Sequence, residues 1–385
     1  MTSPYLSAKE AAARLGVKPA SLYVYVSRGL LRSEPGSGRS RRYRVEDLDR
    51  LISRREGAEG ALDFGAPVLD SALTRIAEGR FFYRGRDVLD LAATATLEDV
   101  ACLLWNTTDD VAFGRRNQPR PVEAPKGRLD PTLRLQAMLP LAGIADTGAS
   151  ALDRGARLAA AGRVLRFVAG VLSGRRSGSI PCHQLLATAW KVKPSAAPLL
   201  RAALVLCADH ELNPSSFVAR CVASTGASLH DAVSAGLAAL QGPRHGGVTR
   251  RAAAWLREID GAADAARAVA DRARRGDRFP GFGHPLYPAG DPRARFLMDA
   301  LAKAFPRDPM QRRMRVIADA VAVQTGVPAN IDYGLVSLAR VLKLPAETPI
   351  LLFTLGRTVG WLAHALEQQD TGRLIRPRAR YTGPL

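Results

Sequence analysis

Hydrophobic residues recur at helical spacing over most of the chain. From about Leu69 onward alanine and leucine dominate, clusters of β-branched residues are few, and glycine or proline interrupts the pattern at intervals. This pattern predicts a mostly α body built of successive helices. The proline- and charge-rich stretch 115–129 is predicted to be a surface loop between two of them.

The first residues follow a different pattern. The segment Ser7-Ala8-Lys9-Glu10 is typical of a capping box, and it predicts a helix that ends near Leu15. Gly16 and Val17 then predict a turn. Pro19 suits the first turn of a second helix over 20–28, which Gly29 ends.

A basic, turn-rich stretch follows at residues 33–44, and it holds four arginines, three before Tyr43 and one after it. A third helix is predicted over 46–55. The glycine-containing stretch 56–66 is predicted to be a linker. Residues 1–60 are therefore predicted to form a small domain separate from the body.

Charge and composition narrow the class of protein. The formal net charge of +19 favours polyanionic partners, either nucleic acid or small molecules rich in phosphate and carboxylate, although solvated arginines would give the same excess. No secretory signal and no apolar run of membrane-spanning length is evident, so neither secretion nor membrane insertion is expected. The four cysteines lack CxxC spacing and are expected to be buried thiols in a reducing cytoplasm.

Three short segments place an acid–base side chain beside glycines or just after Pro-Ala-Asn. Two histidines and one carboxylate are sufficient to form a carbanion equivalent and add it to a carbonyl. A metal site is not expected, because the histidines lack ligand spacing. The side chains are His245, His284 and Asp332, within Gly242–Gly247, Gly281–Tyr287 and Asn330–Tyr333.

The order of these segments resembles the citrate synthase family, and the resemblance covers residues 66–385. Further blocks occur in family order: 82–88, 209–225, 356–364 and the tail 376–381. Together with the N-terminal domain, which resembles a winged helix-turn-helix, the resemblance implies a fold that is mostly α: a winged helix-turn-helix followed by a two-domain, all-helical citrate synthase body. It implies a large domain at 66–245 and 344–385, and a small domain at 246–343.

The family pattern also implies a role for each residue of the site. Asp332 would be the base that removes a proton from the methyl group of an acyl-CoA. A neutral His245 at a helix N-terminus would donate to the thioester oxygen as the enol forms. His284 would protonate the carbonyl of oxaloacetate, and His210 would orient that substrate. His183, His230 and His364 are expected to be structural.

Arginines are expected to bind the two carboxylates of oxaloacetate in bidentate fashion. The family positions are matched by Arg293, Arg357 and Arg376. The last implies a dimer or a higher even oligomer, because in this family it reaches the neighbouring subunit's site. No cofactor is expected to be bound permanently, since acetyl-CoA and CoA are substrate and product.

The N-terminal domain resembles the helix-turn-helix of MerR and excisionase proteins, whose second helix enters the DNA major groove and whose loop forms a wing. The resemblance implies DNA contacts through residues 1–60. A helical docking module with solvated arginines is the other interpretation. The candidate DNA-binding residues are Ser21, Tyr23, Arg39, Arg41, Arg42 and Arg44.

Several positions depart from the family pattern, notably Val248-Thr249-Arg250 after the glycines and Pro285 after His284. Three functions therefore stay open. The first is a citrate synthase that uses acetyl-CoA. The second is a 2-methylcitrate synthase that uses propionyl-CoA, since one methylene discriminates weakly. The third is a DNA-binding regulator whose synthase-like body senses metabolites.

Overall fold

The computed structural model describes residues 5–15, 17, 22, 25–26, 31–36, 40–45, 47–48, 69–77, 79–149, 153–261, 263–377 and 383. Contacts divide the chain into two compact units, Met1–Asp70 and Ser71–Leu385. The predicted linker and most of the predicted second and third helices lie outside the described residues. So do Ser21, Tyr23 and Arg39.

The N-terminal unit begins with strand β1 (Tyr5–Ser7) and helix α1 (Ala8–Leu15). The predicted capping box is confirmed: Ser7 N–H donates to Glu10 Oε2 at 2.9 Å, and Glu10 N–H donates to Ser7 Oγ at 3.3 Å. Ala11, Ala12 and Leu15 turn inward, so α1 is held by an apolar face as well as by its cap.

The basic stretch forms a β-hairpin of β2 (Ser33–Pro35) and β3 (Arg41–Arg44). These strands pair antiparallel, and β1 pairs with the other edge of β3, which gives the order β1-β3-β2. Tyr43 is the buried residue of β3 and packs into the core of this unit. The predicted wing is therefore a hairpin whose two strands, with β1, form a three-stranded sheet.

The body does not begin as a helix. Strands β4 (Thr74–Ala77), β5 (Arg80–Tyr83) and β6 (Arg86–Asp87) form an antiparallel sheet, where the helical spacing had predicted no strand. Burial alternates along β5, as in a strand: Phe81 and Tyr83 point inward, while Phe82 between them is only half-buried. Arg84 and Gly85, with φ of 44° and 81°, make the two-residue turn between β5 and β6, which needs positive φ at both positions.

The rest of the body is helical, as predicted, and residues 114–130 are irregular, which confirms the predicted loop. The helices are α2 (Val88–Thr94), α3 (Leu97–Trp105), α4 (Asp109–Phe113), α5 (Pro131–Ala145), α6 (Arg154–Ser173), α7 (Cys182–Ala189), α8 (Ala197–Cys207), α9 (Pro214–Ala223), α10 (Leu229–Leu240), α11 (Gly247–Glu258), α12 (Ala265–Arg274), α13 (Pro292–Ala304), α14 (Pro309–Thr325), α15 (Ile331–Val341) and α16 (Thr348–Thr371).

Helix α16 is the centre of the main core, and it packs against α3, α8, α9, α10 and α6. It is long and apolar enough to cross a membrane by length and composition alone, a run that the sequence analysis did not find. Its apolar window is completely buried inside the body, as in the core helix of a globular protein.

A second hydrophobic cluster lies within residues 252–336 and is supplied mainly by α11, α12, α14 and α15. It shares α13 and α15 with the main core, since other residues of those helices belong there. The predicted large and small domains, with their boundaries, stay a prediction.

Candidate active site

The loop before α13 positions His284. Gly281 and Gly283 have φ of 94° and 77°, a backbone region that glycine enters without strain. Gly283 N–H donates to the Pro328 carbonyl at 2.8 Å, which ties the loop to the segment before α15. The N–H of Leu286 donates to His284 Nδ1 at 3.2 Å. Nδ1 is therefore the acceptor of the neutral ring, and the proton lies on Nε2.

Asp332 lies in the first turn of α15. The Asn330 side chain caps this helix, because its Oδ1 accepts from Asp332 N–H at 3.0 Å. Thr249 Oγ1 donates a hydrogen bond to Asp332 Oδ1. Burial raises the pKa of Asp332 to about 6, although the Thr249 hydrogen bond acts in the opposite direction. A carboxylate with that pKa is suited to accept a proton near neutral pH.

His245 lies in the turn just before α11, at a helix N-terminus as predicted. Its Nε2 is 2.8 Å from Ser215 Oγ, and Trp361 Nε1 donates to that same oxygen at 3.0 Å. Burial first, and the Arg357 charge second, lower the pKa of His245 to about 4. The predicted neutral state is therefore supported, but burial is the main cause instead of the helix terminus.

His210 is buried, so it is not part of a charged cluster on a helix surface even though Asp209 and Glu211 flank it in the sequence. Its Nε2 is 2.9 Å from the Tyr287 hydroxyl, and its ring centroid is 5.0 Å from that of His284. Burial, followed by the Arg293 charge, holds the pKa of His210 well below its usual range. Burial likewise lowers the pKa of His284 to about 4, so both rings are neutral at pH 7.

Two buried arginines border this group of side chains. Arg293 donates through Nε and Nη2 to both carboxylate oxygens of Asp291, at 2.9 and 2.8 Å. Arg357 donates through Nε to the Cys207 carbonyl at 3.0 Å, and its guanidinium lies 4.9 Å from the Phe353 ring centroid. Among the described residues Arg357 has no carboxylate within ion-pair distance. Its Nη groups are thus available for an anionic ligand.

Arg376, by contrast, is an exposed residue of the tail. Arg376 takes no part in the hydrogen bonds and ring contacts described above for the other candidate residues. The structure therefore brings together His210, His245, His284, Asp332, Arg293 and Arg357, and leaves Arg376 outside this group.

Asp209, the residue that precedes His210, belongs to a buried pair of ionisable groups. Asp209 Oδ1 is 3.3 Å from His364 Nε2, and both side chains are completely buried. Burial opposes ionisation of Asp209, but His364, Arg357 and Thr74 outweigh it and keep the pKa of Asp209 low. His364 has therefore a structural position, as predicted, next to the residue that precedes His210.

The arginines of the N-terminal hairpin make local contacts. Arg41 donates to Ser33 Oγ at 2.8 Å, and Arg44 pairs with Glu34 at 3.2 Å. The Arg42 guanidinium lies 5.3 Å from the Tyr5 ring centroid. Arg41 and Arg42 remain exposed on the strand, so their charges face solvent.

Sequence reasoning missed Thr249, Ser215, Tyr287 and Asn330 as contacts of the candidate residues. Ser215 and Tyr287 lie inside the family segments 209–225 and 281–287. A polar residue with no assigned role inside such a segment was the available signal for a contact in the site. Thr249 lies in the stretch 248–250 that departs from the family pattern, but a threonine in the first turn of a helix is ordinary and gave no sign of a contact with Asp332. In the part of the chain that the structure describes, no group of three or more His, Cys, Asp or Glu side chains could hold a metal ion.

Comparison with known proteins identifies the class. The model of the "Citrate synthase, C-terminal domain" family matches residues 62–378, and that of a "Helix-turn-helix domain" matches residues 5–56. A citrate synthase of Haloferax volcanii is 30% identical over 367 residues, which is 86% of this chain and 96% of the relative. The chain therefore belongs to the citrate synthase family and is an enzyme of that family, with an N-terminal helix-turn-helix.

Two further relatives add detail. A 2-methylcitrate synthase of Shewanella oneidensis is 28% identical over 331 residues, 78% of this chain and 88% of the relative. The solved ternary complex of Thermoplasma acidophilum citrate synthase with carboxymethyl coenzyme A and oxaloacetate has 25% identity and a TM-score of 0.66. It covers 83% of this chain and 95% of that one. The fold class predicted from the sequence is confirmed.

Proposed function

We propose that this enzyme condenses acetyl-CoA, or another short acyl-CoA, with oxaloacetate to give citrate or its homologue plus CoA. The observation that carries the proposal is the grouping of a carboxyl of raised pKa with two neutral histidines and two buried arginines. Each charge state matches its step: the base is ionised at pH 7, and both imidazoles are available as donors.

The reaction divides among these side chains. Asp332 takes a proton from the methyl carbon next to the thioester, and His245 donates a hydrogen bond to the thioester oxygen of the resulting enol. The enol carbon attacks the ketone carbon of oxaloacetate while His284 Nε2–H supplies a proton to the ketone oxygen. Water then cleaves the thioester and releases CoA. Arg357 and Arg293 would hold the oxaloacetate carboxylates, with His210 as a further donor.

The hydrogen bonds around His245 support its role. Ser215 has one hydroxyl proton, and Asn213 Oδ1 at 2.8 Å and His245 Nε2 at 2.8 Å are its two possible acceptors. When Ser215 donates to His245 Nε2, the ring proton lies on Nδ1. That proton is then free to be donated to the thioester oxygen.

A thiol-release assay with oxaloacetate and acetyl-, propionyl- and butyryl-CoA tests the proposal. We expect oxaloacetate-dependent release of CoA, and the ratio of kcat/KM between acetyl- and propionyl-CoA decides between the citrate and 2-methylcitrate activities. Asp332→Ala should abolish release while oxaloacetate binding persists, since the arginines remain. Release at the wild-type rate by Asp332→Ala, or no oxaloacetate-dependent release by the wild type, would contradict the proposal.

We also propose that the enzyme is a homodimer. One stripe of helix α5 carries exposed apolar side chains at helical spacing: Leu133, Ala137, Leu141 and Ile144, the last 82% exposed. A second copy of the chain is the occupant that suits this face, since an apolar stripe of this kind is typical of an interface. Light scattering should give twice the chain mass, and Ile144→Glu should shift the protein towards monomer.

DNA binding through residues 1–60 is the second candidate function, and the exposed arginines of the β2–β3 hairpin favour it. A hairpin that presents Arg41 and Arg42 to solvent in a helix-turn-helix domain supports the proposal that it acts as a wing and contacts phosphates. In that case the synthase body would bind metabolites that regulate DNA binding, or would bring two helix-turn-helix domains together in a symmetric dimer. The binding experiment is given in the Discussion.

A further inference from the structure

We infer that the Thr249 hydroxyl is the positioning group for Asp332: it holds Oδ1 and leaves Oδ2 as the oxygen that takes the substrate proton. This inference rests on the proposed role of Asp332 as the base. Among the hydrogen bonds of the described residues, the one from Thr249 Oγ1 is the only one to this carboxylate. A base held through one oxygen presents the other in a fixed direction.

The Thr249 hydroxyl bonds to the Asp332 carboxylate and does not cap its own helix. Thr249 is 1% exposed, in the first turn of α11, and its hydroxyl points across to the first turn of α15. The N-cap of α11 is Gly246, which has no side chain for a capping hydrogen bond. The Thr249 hydroxyl is therefore committed to the carboxylate.

The same threonine links the base to the enol-stabilising histidine. Thr249 N–H donates to the Gly246 carbonyl at 3.0 Å, and Val248 N–H donates to the His245 carbonyl at 2.9 Å. Thr249 thus belongs to the same tight turn as His245. A shift of that turn would move the hydrogen-bond donor for the enol and the support of the base together.

The hydrogen bond also sets the charge state of the base. Burial raises the pKa of Asp332, and a donated hydrogen bond stabilises the ionised form against this effect. The other charged groups that face the carboxyl are Arg293 and Asp291 at the start of α13, and Arg357 on α16. These are unchanged in a Thr249 variant, so the effect of losing the hydroxyl is separable from theirs.

Thr249→Val, which keeps the shape and loses the hydroxyl, tests the inference, with Thr249→Ser as the matched control that keeps the donor. We expect the acid limb of the kcat–pH profile of Thr249→Val to move upward by about one pH unit. We also expect kcat at neutral pH to fall by about tenfold or more, with the KM for oxaloacetate nearly unchanged. Thr249→Ser should restore most of the activity and the wild-type acid limb.

A second measurement does not depend on turnover. The carboxyl carbon of Asp332 is followed by NMR in protein labelled at the Asp γ-carbon, and assigned by its absence in Asp332→Asn. Its titration should move upward in Thr249→Val and return in Thr249→Ser. Thermal unfolding verifies that both variants fold.

An unshifted carboxyl titration in folded Thr249→Val would overturn the inference, as would equal losses of kcat in the Val and Ser variants. A wild type that shows the expected titration but releases no thiol would contradict the proposed function alone. The two failures are therefore distinguishable.

Discussion

The side chain of Asn330 joins the helix of the base to the loop of His284: its Nδ2 donates to the Gly283 carbonyl at 2.9 Å. Its Oδ1 accepts from the N–H of Asp332, so one amide group touches both segments. Asn330 N–H also donates to the Gly281 carbonyl at 2.9 Å. The positions of the carboxylate and of the imidazole are therefore set relative to one another through a single residue.

The buried carboxyl of Asp332 should reduce stability at the pH of catalysis. Its pKa is raised from 3.8 to about 6 in the folded state. The stability from this group is therefore complete below about pH 3.8 and is lost as pH rises through about 6. Asp332→Asn should be inactive but more stable than the wild type by about 2 kcal/mol at pH 8. This is less than the ~3 kcal/mol of the full pKa shift, because the Asp332 residue as a whole is only half-buried.

Urea unfolding at pH 8 and pH 4 checks this prediction. The difference between Asp332→Asn and the wild type should shrink at pH 4, where the native carboxyl is mostly protonated. The exposed Asp319→Asn is the control and should show no such pH-dependent gain. A constant difference at both pH values would mean that ionisation of Asp332 is not its cause.

Arg357→Lys should raise the KM for oxaloacetate by about tenfold or more, because an ammonium cannot form the paired hydrogen bonds of a guanidinium. The native side chain is oriented by its bond to the Cys207 carbonyl, which leaves its Nη groups for the substrate. Steady-state kinetics with saturating acyl-CoA measures the effect, with exposed Arg75→Lys as the control. An unaltered KM in Arg357→Lys would remove this residue from the substrate site.

Arg376 is predicted to complete the site of the neighbouring subunit. If so, a heterodimer of an Arg376→Ala chain and a His284→Ala chain contains one site that is free of both lesions. Mixing the two inactive proteins should then restore thiol release to about one site per heterodimer. Arg373→Ala, an exposed neighbour, should be active by itself. Heterodimers that form but stay inactive would count against the shared site.

Replacing Arg41 and Arg42 by glutamine should weaken DNA binding for all sequences and flatten its salt dependence, because such arginines contact phosphates. Substitution of Ser21 or Tyr23 should instead change the preferred sequence. A selection from genomic DNA at near-physiological salt should recover a roughly palindromic operator. The matched control replaces Arg115 and Arg116, two exposed arginines in the surface loop of the body, and should leave DNA binding unchanged. If the selection recovers no enriched sequence, the interpretation of residues 1–60 as a protein-docking module is favoured.

Motifs and local pattern predicted much of this molecule. The capping box of α1, the helix after His245 and the loop at 115–129 all follow from neighbouring residues, and the structure has them. The hairpin at 33–44 corresponds to the wing that the helix-turn-helix resemblance implied. The strands at 74–87 were missed because the general helical spacing of the body was extended over them. Their alternation of buried and half-buried residues spans only four positions, and pairing with adjacent strands completes their hydrogen bonds.

The sequence by itself determined the family and the mostly α class, and it pointed to three candidate acid–base residues, because short motifs and helical periodicity are local properties of the chain. Only the tertiary structure decided their charge states and partners. Thr249 meets Asp332 across 83 positions, and Ser215 meets His245 across 30. Contacts at such separation depend on helix packing, and the burial that lowers the histidine pKa values and raises that of Asp332 exists only once the helices have packed.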